Sequence, residues 1–212
     1  MLYTEKNVLS ALEDGILYLE QGDRLTPAAQ DLLRQRGIPF RREKPEHMTH
    51  LNSRELVPKT HPRIAYRGKL DTLEAEILLC LKEEAMPRQT LEEMLDFCRS
   101  LMRADVLAEP VEERKLHGLT EAQLRHRSHD PKRYYGTDHI LPEASDSLCL
   151  LKLNRLRALI RETELLSYHA FPKRTDLHRA LNRLSSLCWI LCLEERTSYN
   201  KGGSTWTSSL KN

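Results

Sequence analysis

The residues of this sequence best placed to do chemistry lie between Lys152 and Glu164. Lys152, Arg155, Arg157 and Arg161 follow one another with no acid until Glu162. Arg157 and Arg161 are four apart, so a helix sets them one turn apart on one face. That face borders the apolar positions Leu156 and Ile160. Two guanidiniums at the rim of an apolar seam can clamp a polyphosphate through paired N–H donors. The duller reading of the same residues is a basic flank in water, and spacing alone favours it. Asp71 sits one residue past the apolar Leu70, where its carboxylate can pair with an arginine on a neighbouring helix. Asn182 borders Leu181, and an amide there is first of all a structural hydrogen-bonder. The histidines include two H-x-x-H pairs, His47/His50 and His126/His129, in segments expected to be loops and with no cysteine near. That is a poor pattern for zinc. The sequence has no P-loop, no G-x-G-x-x-G and no G-x-S-x-G. Residue types alone therefore lead only as far as an anion-binding helical protein.

The elements that must hold these groups are helices. Leu70, Leu73 and Ile77 are spaced three and four apart. Leu91, Leu95, Cys98 and Met102 run four, three, four, with Thr90 as the expected N-cap. Cys149, Leu153, Leu156 and Ile160 repeat that pattern, and Leu177, Leu181, Leu184, Cys188 and Leu191 extend it. Such seams belong to long helices packed near-parallel in a bundle. Thr120-Glu121-Ala122-Gln123 opens a shorter helix with a capping box. Residues 1–45 read as a small α/β unit: a short helix ending near Gly15, a strand over Ile16–Leu19, then a helix from Thr26-Pro27 to Gly37. Residues 46–65 read as a linker, with Pro58 and Pro62 as breaks. Residues 66–196 form the bundle, and residues 197–212 are expected to be a disordered tail.

Composition agrees with a helical fold. Hydrophobic residues make up 40% of the 212, enough for one sizeable core, while 8 glycines and 6% aromatics argue against an all-β chain. A net charge of +2 provides no global field for nucleic acid or a membrane surface. No stretch has the ~18–20 apolar residues of a membrane span, and the acidic N-terminal segment is no secretory signal. The five cysteines lie beside leucines in the expected helices and make no C-x-x-C pair. They read as small buried hydrophobes of a cytoplasmic protein.

Three strings in one order resemble a known family. They are His139-Ile140-Leu141-Pro142-Glu143-Ala144-Ser145, then Arg157-Ala158-Leu159-Ile160-Arg161-Glu162-Thr163-Glu164, then Leu181-Asn182-Arg183-Leu184-Ser185. The chain is similar here to the corrinoid adenosyltransferases, with their x-L-P loop, R-x-x-x-R-x-x-E helix and L-N-R-L-S helix. Leu70-Asp71 matches a further segment of that family. The ethanolamine-utilization branch is the nearer likeness, through Arg24-Leu25-Thr26-Pro27-Ala28-Ala29, Met48-Thr49-His50-Leu51, Lys59-Thr60-His61-Pro62-Arg63 and Met102-Arg103-Ala104-Asp105.

The resemblance implies a five-helix bundle with a small N-terminal α/β unit, and transfer of the 5′-deoxyadenosyl group of ATP to the cobalt of cob(I)alamin, with Mg²⁺ on the triphosphate. It implies that Arg157 and Arg161 contact the phosphates, that Asp71 braces Arg157 from another helix, and that Glu164 and Asn182 serve the nucleotide. The His139 loop would lie under the corrin. Asp71 is expected to open the first long helix. The family's Gly-rich phosphate loop is absent, and Lys59, Thr60 and Arg63 are the basic segment left to replace it. Some ethanolamine-type members carry a cysteine-rich metal motif, which has no counterpart here, so a metal-independent form is expected. The implied partners are further copies of the chain (a trimer ahead of a dimer), a corrinoid reductase and ethanolamine ammonia-lyase, with a microcompartment as a location. The alternative is a non-catalytic corrinoid- or nucleotide-binding bundle acting as carrier or sensor.

Overall fold

In a computed structural model, which describes residues 1–20, 22–42, 46–52 and 55–199, the chain divides into two units, Met1–Lys59 and Thr60–Asn212. The first contains β1 (Leu2–Tyr3), β2 (Leu12–Glu13), β3 (Ile16–Leu19), β4 (Arg24–Leu25), α1 (Pro27–Gln35), β5 (Phe40–Arg42), β6 (Met48–His50) and β7 (Leu56–Pro58). β3 is central to a three-stranded sheet, antiparallel to β2 and parallel to β5. Asp14 and Gly15 both have positive φ and make the tight turn between β2 and β3. Gly15 therefore closes a hairpin and not the helix expected there, of which one short 3-10 turn at Leu9–Ala11 is present. Thr26 caps α1 by accepting from the Ala29 amide at 3.3 Å, and Pro27 takes the first helical position. Tyr3, Val8, Leu17, Leu19, Ala29 and Leu33 form the core of this unit. Part of the expected linker is the β6–β7 hairpin.

The second unit is helical. It runs α2 (Pro62–Cys80), α3 (Arg88–Val106), α4 (Glu121–His129), α5 (Pro131–Tyr135), α6 (Leu148–Ala170) and α7 (Thr175–Tyr199). The expected leucine seams are buried in one core, with Met102 half-buried at its edge. Burying each leucine contributes about 1.5–3 kcal/mol, so these seams dominate the energetics of the bundle. α7 is its axis: it packs along α6 on one side and α4 on another, while α2 joins α6 to α3. Two ion pairs fix α2 antiparallel to α6, Lys69 with Glu162 and Arg155 with Glu76 at 2.7 Å, and a third joins Lys152 to Glu83 just past the end of α2. Surface pairs of this kind contribute ~0–1 kcal/mol each, so they set register more than stability.

Some helix boundaries differ from those expected. α2 begins at Pro62, four residues before Tyr66. Pro62 needs no N–H partner in the first turn, and His61 Nδ1 accepts from the Arg63 amide at 3.2 Å. Asp71 therefore lies mid-helix, away from the N-terminal dipole. α3 begins at Arg88, with Pro87 at its N-cap, so Thr90 sits inside the first turn. The capping box at Thr120 is present. His126 and His129 lie on α4 and not in a loop, and His50 lies on β6. A further short helix, α5, is capped by Asp130 and ended by Gly136 at φ +69°. Residues 197–199 belong to α7, and the rest of the expected tail lies outside the described residues.

Candidate functional site

α6 and α7 run side by side, and the irregular segment after α5 crosses one end of their groove. That segment is anchored to α7 at its far end. Arg196 donates to Asp146 Oδ2 at 2.6 Å and to the Leu141 carbonyl at 3.2 Å, and Ser147 Oγ donates to the buried Glu195 carboxylate at 2.7 Å. Ser147 also caps α6 by accepting from the Leu150 amide. The anchoring holds His139 over the groove. Between the segment, α4, α6 and α7 lies a cleft of about 450 Å³, whose lining includes His129, His139, Asn154, Arg157, Asn182 and Trp189.

Trp189 is the centre of the cleft. It is only 8% exposed. The His139 ring stacks on it with centroids 5.6 Å apart and planes 27° apart, and the Arg157 guanidinium lies 5.1 Å from its ring centroid. Trp189 therefore joins the loop to α6. An arginine over an indole face is stabilised as a cation and keeps its N–H edges open to an anion.

The four cations of α6 separate cleanly. Arg155 is paired with Glu76 of α2, and Lys152 with Glu83 in the turn that follows it. Arg157 and Arg161 make no ion pair or hydrogen bond among the described residues. Burial, and after it the neighbouring Arg161 charge, pulls the Arg157 guanidinium below its ordinary value. Arginine stays protonated even so, which leaves a partly desolvated cation with no counter-ion in its chain. Such a group gains most from a bound anion. Along the same groove, Asn182 Nδ2 donates to Glu164 Oε1 at 3.1 Å and ties α7 to α6.

Of the residues expected to act, His139, Arg157 and Asn182 line this cleft. Glu164 joins it through Asn182, and Arg161 lies one turn beyond Arg157. The others do not converge there. Asp71 is exposed on α2, with no ion pair or hydrogen bond among the described residues. Lys59 closes the first unit and Thr60 opens the second. Arg63 does not line the cleft: its Nε donates to Asp105 Oδ1 at 2.8 Å, its Nη2 to the Asp105 carbonyl at 3.0 Å, and its guanidinium lies 5.4 Å from the Phe171 ring centroid. Arg67 shares the same buried carboxylate at 2.6 Å. The basic segment expected to replace a phosphate loop thus has its arginine committed to joining α2 and α3. Trp189 was not legible as a site residue. Its signal is the spacing from Asn182 of seven, two helical turns along one face of α7.

The profile of the cobalamin adenosyltransferase family matches residues 40–195. The chain is 35% identical over 182 residues to the corrinoid adenosyltransferase EutT of Salmonella typhimurium, covering 82% of this chain and 67% of that protein. It is 36% identical over 158 residues to EutT of Escherichia coli K12, covering 71% of this chain and 59% of that protein, so it spans under two thirds of the latter's length. Among solved structures, the fold is similar to two variants of a PduO-type ATP:corrinoid adenosyltransferase from Lactobacillus reuteri complexed with cobalamin and ATP. Each has a TM-score of 0.57 over 74% of this chain, with 14% and 16% identity and coverage of 91% and 89% of those chains. At that identity the likeness establishes the fold.

Proposed function

The chain belongs to the cobalamin adenosyltransferase family, and on that premise we propose that it transfers the 5′-deoxyadenosyl group of ATP to the cobalt of a corrinoid. The observation that carries the placement of the site is the pair of guanidiniums left without acid partners, Arg157 beside the Trp189 indole and Arg161 one helical turn further along α6.

In this reaction the reduced cobalt of cob(I)alamin is the nucleophile. The Co–C5′ bond forms as the C5′–O bond breaks, and the triphosphate leaves with the bonding pair. No protein acid or base is required. The protein contributes position and charge. Arg157 and Arg161 bind the phosphates and stabilise the charge growing on the leaving group. Asn182, held by Glu164, orients the nucleotide. His139 and Trp189 form the flat floor against which the corrin is held. Mg²⁺ enters on the triphosphate, and no side chain is assigned to it.

A homo-oligomer, a trimer ahead of a dimer, fits the distribution of unpartnered groups. Arg161 is exposed on α6, with Leu165 and Tyr168 exposed on the following turns, and Asp71 is exposed on α2. We place the Asp71–Arg157 pair across a subunit boundary, where each would supply what the other lacks. Lys59 and Thr60 stay candidates for the phosphates. The ethanolamine motifs, together with the EutT relatives, support a role in supplying ethanolamine ammonia-lyase, with a corrinoid reductase upstream and a microcompartment as location.

One observation favours a second reading, a non-catalytic corrinoid- or nucleotide-binding carrier or sensor: Arg63 is occupied by Asp105. An anaerobic optical assay with cob(I)alamin and MgATP separates the two. Formation of the adenosyl-cobalt spectrum with multiple turnovers supports the enzyme, and binding without turnover supports the carrier.

A further inference from the structure

A second group of arginines lies one turn away from the cleft, and the proposed reaction does not use it. α4 and α7 together line a separate cavity of about 490 Å³, which holds Arg125 and His126 of α4, Arg179 and Arg183 of α7, and the carboxylates Glu113 and Glu121. Along α4, Arg125 is three residues from Ser128 and four from His129, which line the cleft. Along α7, Arg179 is three residues from Asn182, and Arg183 three from Ser186. Residues at these spacings are helical neighbours about 5–6 Å apart at Cβ. The two cavities are therefore successive parts of one α4–α7 groove.

Three guanidiniums so close repel one another, and their neighbours offset this only in part. Arg179 Nη1 donates to Glu113 Oε1 at 3.1 Å. Arg125 makes no ion pair among the described residues. Arg183 Nη1 is buried and has no hydrogen-bond partner among the described residues. Burial first, then Arg125 and Arg179, depresses the Arg183 guanidinium, against the pull of Glu121 and Glu164. Glu121 is a weak counter-ion, since burial first and Glu113 next raise its carboxyl. A buried N–H donor of a charged group left unpaired is costly, and a ligand that pairs it recovers that cost.

We propose that the α4–α7 groove holds a phosphate-class oxyanion, bound by Arg183, Arg125 and Arg179. Tetrahedral phosphate oxygens accept from arginine forks arriving from two helices, and the cavity is within the ~300–1,000 Å³ range of small-ligand sites. Two sources bring this chemistry to a groove continuous with the cleft. One is the phosphodiester of a corrinoid that carries a nucleotide tail. The other is free polyphosphate. The corrinoid source rests on the proposed function; the free anion does not.

The test uses the full chain and two variants. Arg125 is exposed, so Arg125→Ala leaves the core untouched, while Arg183→Gln keeps a donor without the charge. In the first arm, inorganic tripolyphosphate is titrated calorimetrically with the α6–α7 cleft saturated by a non-hydrolysable ATP analogue. In the second, affinities for cobalamin and for the tail-less cobinamide are measured optically. A roughly tenfold weakening of tripolyphosphate in both variants, with both corrinoids unchanged, supports the site with free polyphosphate as its ligand. A roughly tenfold weakening of cobalamin alone supports the site with the corrinoid phosphodiester as its ligand. Unchanged binding in both arms overturns the proposal. If the wild-type chain makes no adenosylcobalamin, the functional reading fails, and the tripolyphosphate arm still decides the oxyanion site.

Discussion

At the scale of single residues, Arg157 and Arg161 differ from Lys152 and Arg155 in what they face. The helical spacing of the four was legible in the sequence, but which would be neutralised was not, because Glu76 comes from α2 and Glu83 from the turn after it. The resemblance to a family picked the same two arginines that the structure leaves without partners. Trp189 escaped because an aromatic in a leucine-rich helix reads as core, and by burial it is core. What sets it apart is that its ring contacts both His139 and Arg157. Arg157→Lys should lower kcat/KM for MgATP nearly as far as Arg157→Ala. A lysine keeps the charge but loses both the planar contact with Trp189 and the two-pronged donor edge. Steady-state kinetics on the two variants checks this, and a lysine variant near wild type would refute it. Trp189→Leu fills much of the buried volume but removes the ring. It should raise the corrinoid KM by about tenfold, as expected for ~1.4 kcal/mol of lost contact, while circular dichroism stays unchanged.

At the scale of elements, the long helices were legible because each repeats its apolar seam over two or more turns. The starts of α2 and α3 were less so, since a proline is at once a break and a good first helical residue. That ambiguity displaced Asp71 from its expected place at a helix start. The loop that carries His139 was legible by resemblance, but its anchors were hidden: Asp146 and Arg196 are 50 residues apart. Arg196→Ala should free the His139 loop and raise the corrinoid KM more than the MgATP KM. An equal rise in both would place Arg196 in general stability. The cysteines carry a second element-level expectation. Burial pushes the Cys98 and Cys192 thiols up to about 12 and Cys80 up to about 11. Near pH 7.5 their thiolate fraction is below about one in a thousand, so the native protein should resist thiol reagents that label all five cysteines in denaturant. Rapid labelling of the folded chain would contradict the burial described.

At the scale of the whole molecule, the sequence pointed to a small N-terminal unit ending at residue 45 and a bundle beginning at 66, whereas the chain divides at Lys59/Thr60, inside the expected linker. Relations between chains were not legible, because a lone exposed carboxylate such as Asp71 looks like any solvated residue until its role is assigned by resemblance. Asp71→Asn should leave the melting temperature of an isolated chain unchanged, since it has no partner among the described residues. It should raise the MgATP KM and lower the oligomer mass at low concentration. Analytical ultracentrifugation together with kinetics checks this, and unchanged values in both would remove Asp71 from the site. In the proposed reaction, adenosyl transfer takes place where Arg157 and Arg161 bind the triphosphate. The most direct measurement is the anaerobic rate of adenosylcobalamin formation at saturating cob(I)alamin, as MgATP is varied, for the wild type and Arg161→Ala. Arg161 is exposed and bonded to nothing described in its own chain, so the variant should fold as the wild type does. Its kcat/KM should fall by about ten- to a thousandfold, the range for ~1.4–4 kcal/mol of lost phosphate contact. Wild-type kinetics in the folded variant would contradict it.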